Sequence, residues 1–235
     1  ELWRRVNGLV RARLHFFQGM HELIRRFYLA IEGRGEMPIP MSEALRTTRE
    51  TAKAWREFTR LDPGNVVSWN NLGVAYRIQN FIEQDMGRPA DAAASLRLVL
   101  ANERLAPASV MTHDMVQGHA GILALLEADR GNVAGMNEAL AVSARASKWV
   151  VEHASAGSFL RESRALMPDF YRKVAHAALG EHQNTIEALR DLLPKLKQLK
   201  PTDVRQRETA DFLIRFPQFA IADAAYALKD YATAE

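Results

Sequence analysis

The stretch Trp69-Asn70-Asn71-Leu72-Gly73-Val74-Ala75-Tyr76, preceded by Leu61-Asp62-Pro63-Gly64-Asn65, decides how the chain is read. Pro63 ends one helix, because proline lacks the N–H that would continue it and clashes with the preceding turn. Trp69, Leu72, Gly73 and Tyr76 then define the next helix, in which the small Gly73 lets a partner helix approach closely. Gly87-Arg88-Pro89 forms the following turn. Pro89 suits the first turn of a second helix, where its missing N–H is not needed. Ala92, Leu96 and Val99 continue that helix, and Pro107 closes the unit.

The surrounding chain has 235 residues, enough for one large domain or an elongated repeat array. With 48% hydrophobic and 25% charged residues it has the composition of a folded protein, which excludes wholesale disorder. No apolar run approaches the roughly 18–20 residues of a membrane span. The absence of cysteine excludes disulfides and thiolate metal sites. The net charge of +3 is uneven: residues 1–60 hold 12 basic and 7 acidic side chains, and the remainder is slightly acidic. A nucleic-acid binder would show a broader basic face with interleaved aromatics, so nucleic acid is not an expected partner. The chain opens Glu1-Leu2-Trp3, without Met or a signal-peptide core, and reads as a piece of a larger protein.

From Leu2 to Ile31 apolar residues recur mostly at steps of three and four, which predicts a long amphipathic helix with arginines on its other faces. Such a helix can pack on the first helices of the array, and a membrane-surface role for residues 1–32 is the less favoured reading. Gly33 to Pro40 is a loop, Ser42 a candidate N-cap, and Ala44 to Leu61 a helix. About seven extra residues around Ile78–Met86 lengthen the Trp69 helix or its turn. A further helix runs through Trp149 towards His153 and ends before Gly157. Ser158 to Leu166 reads as a short extra helix, with Pro168 marking a new start. Pro194 should stop or kink its helix, and Pro217 should open the last pair. The expected fold is all-α, because no strand-like alternation with turn signals appears.

Trp-x2-Leu-Gly-x2-Tyr, in register after Leu-Asp-Pro-Gly-Asn, resembles the first helix of a tetratricopeptide repeat, a helix–turn–helix unit of about 34 residues. Weaker resemblances follow at Leu123-Ala124…Glu127, at Ala177-Ala178-Leu179-Gly180-Glu181-His182 and at Tyr226-Ala227-Leu228-Lys229-Asp230-Tyr231. The resemblance covers about residues 41–235, after a separate N-terminal segment of residues 1–40. It implies a right-handed superhelical solenoid of antiparallel helix pairs, with the last repeat incomplete. It also implies a concave groove that holds a protein or peptide partner, to which the signature register assigns Asn70, Val74 and Arg77, then Phe170 and Val174, then Phe219, Asp223 and Tyr226. Asn70 can hydrogen-bond a peptide backbone and Arg77 can fork onto a carboxylate. Both can equally be solvated helix residues, and Phe170, Phe219 and Tyr226 would also suit a core. Gly121 and Leu125 stand where further basic or amide groups would be needed to clamp a peptide C-terminus.

Chemistry beyond binding finds little foothold. His15 and His21, His113 and His119, and His176 and His182 are each six apart, which places each pair on different helix faces. Ser109, His113 and Asp114 are close in sequence, yet a catalytic triad is defined by geometry and not by spacing. Met111, Met115 and Met136 read as gap-fillers in helix packing. No metal, cofactor or catalytic set is expected. The leading expectation is a non-catalytic interaction module or scaffold, and the alternative is a regulatory or sensory segment of a multidomain signalling enzyme or membrane-associated protein.

Overall fold

The computed structural model describes residues 29, 34–35, 39–230 and 233. The long N-terminal helix expected over residues 2–31 lies outside this range apart from Leu29. The chain divides into two compact units, residues 1–46 and residues 47–235. In the first, Arg34 N–H donates to the Leu29 carbonyl at 2.8 Å, and Glu43 pairs with Arg46 at 2.5 Å.

All regular structure among the described residues is helical: α1 Met41–Leu61, α2 Val66–Asp85, α3 Pro89–Leu105, α4 Val110–Asp129, α5 Val133–His153, α6 Phe159–Ala178, α7 His182–Lys197 and α8 Val204–Ala227. The sequence dictates most of these boundaries locally. Asn65, Ser109, Asn132, Ser158 and Asp203 each accept a backbone N–H from three residues ahead, satisfying a donor that the first helical turn leaves open. Pro89 opens α3 as its chemistry predicts. Ser42 is no cap; α1 already begins at Met41, with the Glu43 N–H on the Pro40 carbonyl at 2.9 Å.

The even-numbered helices α2, α4, α6 and α8 all end in the same way. Residues 87, 131, 180 and 229 have left-handed backbone, three of them glycine and the fourth Lys229 at φ 59°. The N–H that follows each reaches back five residues: Arg88 to Glu83, Asn132 to Glu127, Glu181 to His176 and Asp230 to Ala225. This closure satisfies carbonyls that the last helical turn would otherwise strand.

Consecutive helices from α2 to α8 pack on one another, and α2 with α4, α4 with α6 and α6 with α8 also touch. The even-numbered helices thus form one continuous row. Trp69, Leu72 and Tyr76 are buried with Ala52, Val99 and Met115, so the signature face of α2 gathers residues of α1, α3 and α4. Gly73 makes room there for Met115: a methyl group in its place would meet the sulfur at 2.0 Å, so the thioether would have to shift.

Two prolines depart from expectation. Pro168 and Pro217 lie inside α6 and α8 and open neither, and Pro194 lies inside α7 without stopping it. There is accordingly no short helix at Ser158–Leu166; α6 is one element. Pro168 withholds the N–H that the Arg164 carbonyl would receive, and the Ser147 hydroxyl of α5 donates to that carbonyl instead, at 2.5 Å. The extra residues at Ile78–Met86 lengthen α2 and are partly buried. Asn80 donates to the Ala92 carbonyl at 3.0 Å, and Glu83 accepts from Ser95 at 2.7 Å and Arg49 at 3.2 Å. Glu127, in the corresponding place on α4, accepts from Arg97 of α3, from Arg130 and from Asn132. A buried carboxylate at this place joins each of these two helices to the one before it, α2 to α1 and α4 to α3.

Candidate functional site

Four helices of the second unit line a concave cavity of about 890 Å³. They are the even-numbered row. From α2 come Asn70, Val74, Arg77, Phe81 and Gln84. The floor belongs to α4, through Met111, Met115, Gly118, Ile122, Leu125 and Asp129. Arg164, Met167, Phe170 and Tyr171 of α6 follow, then Glu208, Thr209, Phe212, Leu213 and Phe216 of α8.

The lining is largely apolar, with its polar groups mostly engaged or neutral. Asp114 of α4 is held by Arg164 of α6 through two contacts, one of them 3.3 Å from Nη2 to Oδ2. The Arg77 guanidinium lies over the Phe81 ring, 5.4 Å from its centre. The His119 Nδ1 meets the Met115 carbonyl at 2.5 Å, and its Nε2 is buried without a partner. Burial lowers the imidazole pKa to about 4, so near neutral pH the ring is uncharged, Nδ1 donates and Nε2 is an acceptor. Tyr171 is likewise buried, which raises its phenol to about 12 and keeps it neutral. Its ring lies so close to α4 that a methyl on Gly121 would sit 2.1 Å from it.

The structure brings half of the groove residues named from sequence into this cavity: Asn70, Val74, Arg77 and Phe170. Phe170 is almost fully buried, edge-on to Tyr171 and to Phe216, and forms floor more than wall. Val174 is not among the lining residues: one turn beyond Phe170 on α6, it is half-buried and packs against the core that contains Ile186 and Leu189. Phe219, Asp223 and Tyr226 are exposed on α8 beyond the residues that line the cavity. Met115 and Met136 are buried in helix packing as expected, Met115 also reaching the cavity, whereas Met111 is exposed on the lining.

Sequence reasoning missed Gly118, Arg164, Met167, Phe212 and Phe216. Met111, Met115, Gly118, Ile122 and Leu125 do recur at helical spacing. That stripe is hidden because α4 is apolar on its other faces too, burying Val116, Ala120, Leu123 and Ala124.

Ser109, His113 and Asp114 do not form a nucleophilic set. The Ser109 side chain caps Thr112 N–H at 3.0 Å, the His113 ring stacks on Trp149 at 3.9 Å, and Asp114 faces Arg164. Among the described residues no three His, Asp or Glu side chains gather as metal ligands, and no helix is long and apolar enough to cross a membrane. Compared with known proteins, the chain matches no protein-family model, no curated protein and no solved structure.

Proposed function

We propose that this chain is a non-catalytic interaction module of tetratricopeptide-like design, a right-handed superhelix of helix pairs that holds a segment of a partner protein in the cavity of its even-numbered helices. The observation that carries the reading is the convergence of α2, α4, α6 and α8 on one apolar cavity of about 890 Å³. Stacked helix pairs create concave surfaces of this kind. The recurring turns at 87, 131, 180 and 229 support a repeated unit, here longer than the 34 or so residues of the usual tetratricopeptide repeat. Three of the cavity's titratable groups are placed for binding more than for catalysis: Asp114 is already paired, and His119 and Tyr171 are buried neutral.

The test is affinity capture with three forms of the chain: unaltered, Asn70→Ala/Arg77→Glu in the groove, and Lys53→Glu on the exposed face of α1. A partner held by the first and third and lost by the second, with all three equally folded, supports the module. Equal capture by all three removes the groove from the mechanism.

A further inference from the structure

We propose that the segment received by the cavity is an amphipathic α-helix that carries lysine or arginine beside its apolar face. This rests on the groove reading above and names the chemistry of the occupant.

A helix is favoured over an extended strand by the floor itself. Met111, Met115, Ile122, Leu125, Met167 and Phe216 offer no hydrogen-bond partners. An extended chain laid on them would strand its N–H and C=O groups, whereas a helix satisfies its own. From Met111 to Asp129 the α4 floor runs about 27 Å, the length of five helical turns. The three methionines suit such an occupant, since unbranched thioethers repack around apolar side chains of varied shape.

Gly118 is the second observation. It sits in the middle of α4, where glycine costs about 1 kcal/mol relative to alanine. Gly73 and Gly121 are explained by Met115 and Tyr171, which fill the space a side chain would need. Gly118 has no such reason: a methyl group there would meet nothing within 4 Å, and its backbone is ordinary helix. It is also part of the cavity lining. Its missing side chain lowers the floor midway along α4, where an incoming backbone can approach most closely.

Charge decides the flank. Asp114 is occupied by Arg164. Asp129 of α4 and Glu208 of α8 have no cationic partner among the described residues, and the cation left to the cavity is Arg77, over Phe81. The lining is therefore net negative, which selects a basic flank and disfavours an acidic one. Partial desolvation already holds the Asp129 carboxyl above the usual carboxylate range, a cost that an incoming ammonium or guanidinium would relieve.

The probes are two labelled synthetic peptides about five turns long, one of leucine and lysine and one of leucine and glutamate, each amphipathic as a helix. Binding is read by fluorescence anisotropy at low salt, and peptide helicity by circular dichroism. The leucine/lysine peptide should become helical on binding and bind at least about tenfold more tightly than its acidic counterpart. Gly118→Leu, which fills open space and leaves the melting temperature at or above that of the unaltered chain, should weaken it by a similar factor. Asp129→Asn/Glu208→Gln should erase the preference between the two peptides. If the acidic peptide binds as well and Gly118→Leu still blocks it, the basic-flank inference fails and the groove reading survives. A bound peptide that stays non-helical, or binding of neither peptide, overturns the inference. Binding of the basic peptide that ignores Gly118→Leu overturns both readings.

Discussion

Gly118 and Gly121 are three residues apart on α4 and carry opposite meanings. A methyl on Gly121 would sit 2.1 Å from the Tyr171 ring, which cannot retreat because it is buried between α4 and α6. Gly121→Ala should therefore destabilise the fold by about 1–3 kcal/mol through overpacking. Gly118→Ala meets nothing and should stabilise it by about 0.5–1 kcal/mol, the helix-propensity gain. Urea denaturation of the two variants measures both. Equal effects would mean that the contact between Gly121 and Tyr171 does not constrain the packing. Neither role could be read from sequence, since both glycines stand at similar places in one helix. What separates them is the neighbour each one faces.

At the scale of the element, α6 shows how a helix survives an internal proline. Pro168 cannot donate to the Arg164 carbonyl, and the Ser147 hydroxyl of α5 supplies the missing donor. Ser147→Ala should then cost about 1–3 kcal/mol, because the carbonyl is left between two packed helices without a partner. In a Pro168→Ala background the alanine N–H can take over, and the same Ser147 change should cost less than about 1 kcal/mol. A double-mutant cycle by chemical denaturation reads the difference, and equal costs in the two backgrounds would separate Ser147 from the proline. Proline rules applied to sequence place new starts at 168 and 217 and a stop or kink at 194, because they count only the hydrogen bond lost within the helix. A donor from a neighbouring helix lies outside local rules. Local cap chemistry, by contrast, does act within reach of sequence, since the Asn, Ser and Asp caps bond three residues ahead. Even so, residue patterns point to Ser42 as a cap and open α8 at Pro217, thirteen residues late.

For the molecule as a whole, the burial of His119 ties stability to pH. Its pKa falls from the ordinary 6.5 to about 4 in the fold, chiefly through desolvation. Between those values the unfolded chain binds a proton that the folded chain refuses, so stability falls as the solution is acidified from pH 6.5 towards 4. The full contribution of this group is about 3 kcal/mol. Carboxylates add their own acid loss, so the test is the difference between the unaltered chain and His119→Phe in denaturant melts at about pH 7, 5.5 and 4. The gap between the two should move in favour of the variant as pH falls. A constant gap would show that the ring protonates in the fold as readily as in the unfolded chain.

The sequence by itself determined the all-helical class, the starts at Ser158 and Pro89, the turn at Gly87-Arg88-Pro89 and the close approach at Gly73. Each of these depends on local hydrogen bonds, backbone freedom or a periodic apolar face. It also placed Asn70, Val74 and Arg77 together, because one helix face fixes their common direction. The tertiary structure alone decided which helices share the cavity. It set Val174 against the core outside the lining, left Phe219, Asp223 and Tyr226 beyond it, and brought Arg164 to Asp114 across 50 residues of chain. The reason is that apolar residues are spread around every face of α4: when each face of a helix can be buried, composition cannot say which one is left open. Only the packing of α2, α6 and α8 around it leaves Met111, Gly118 and Leu125 facing the cavity.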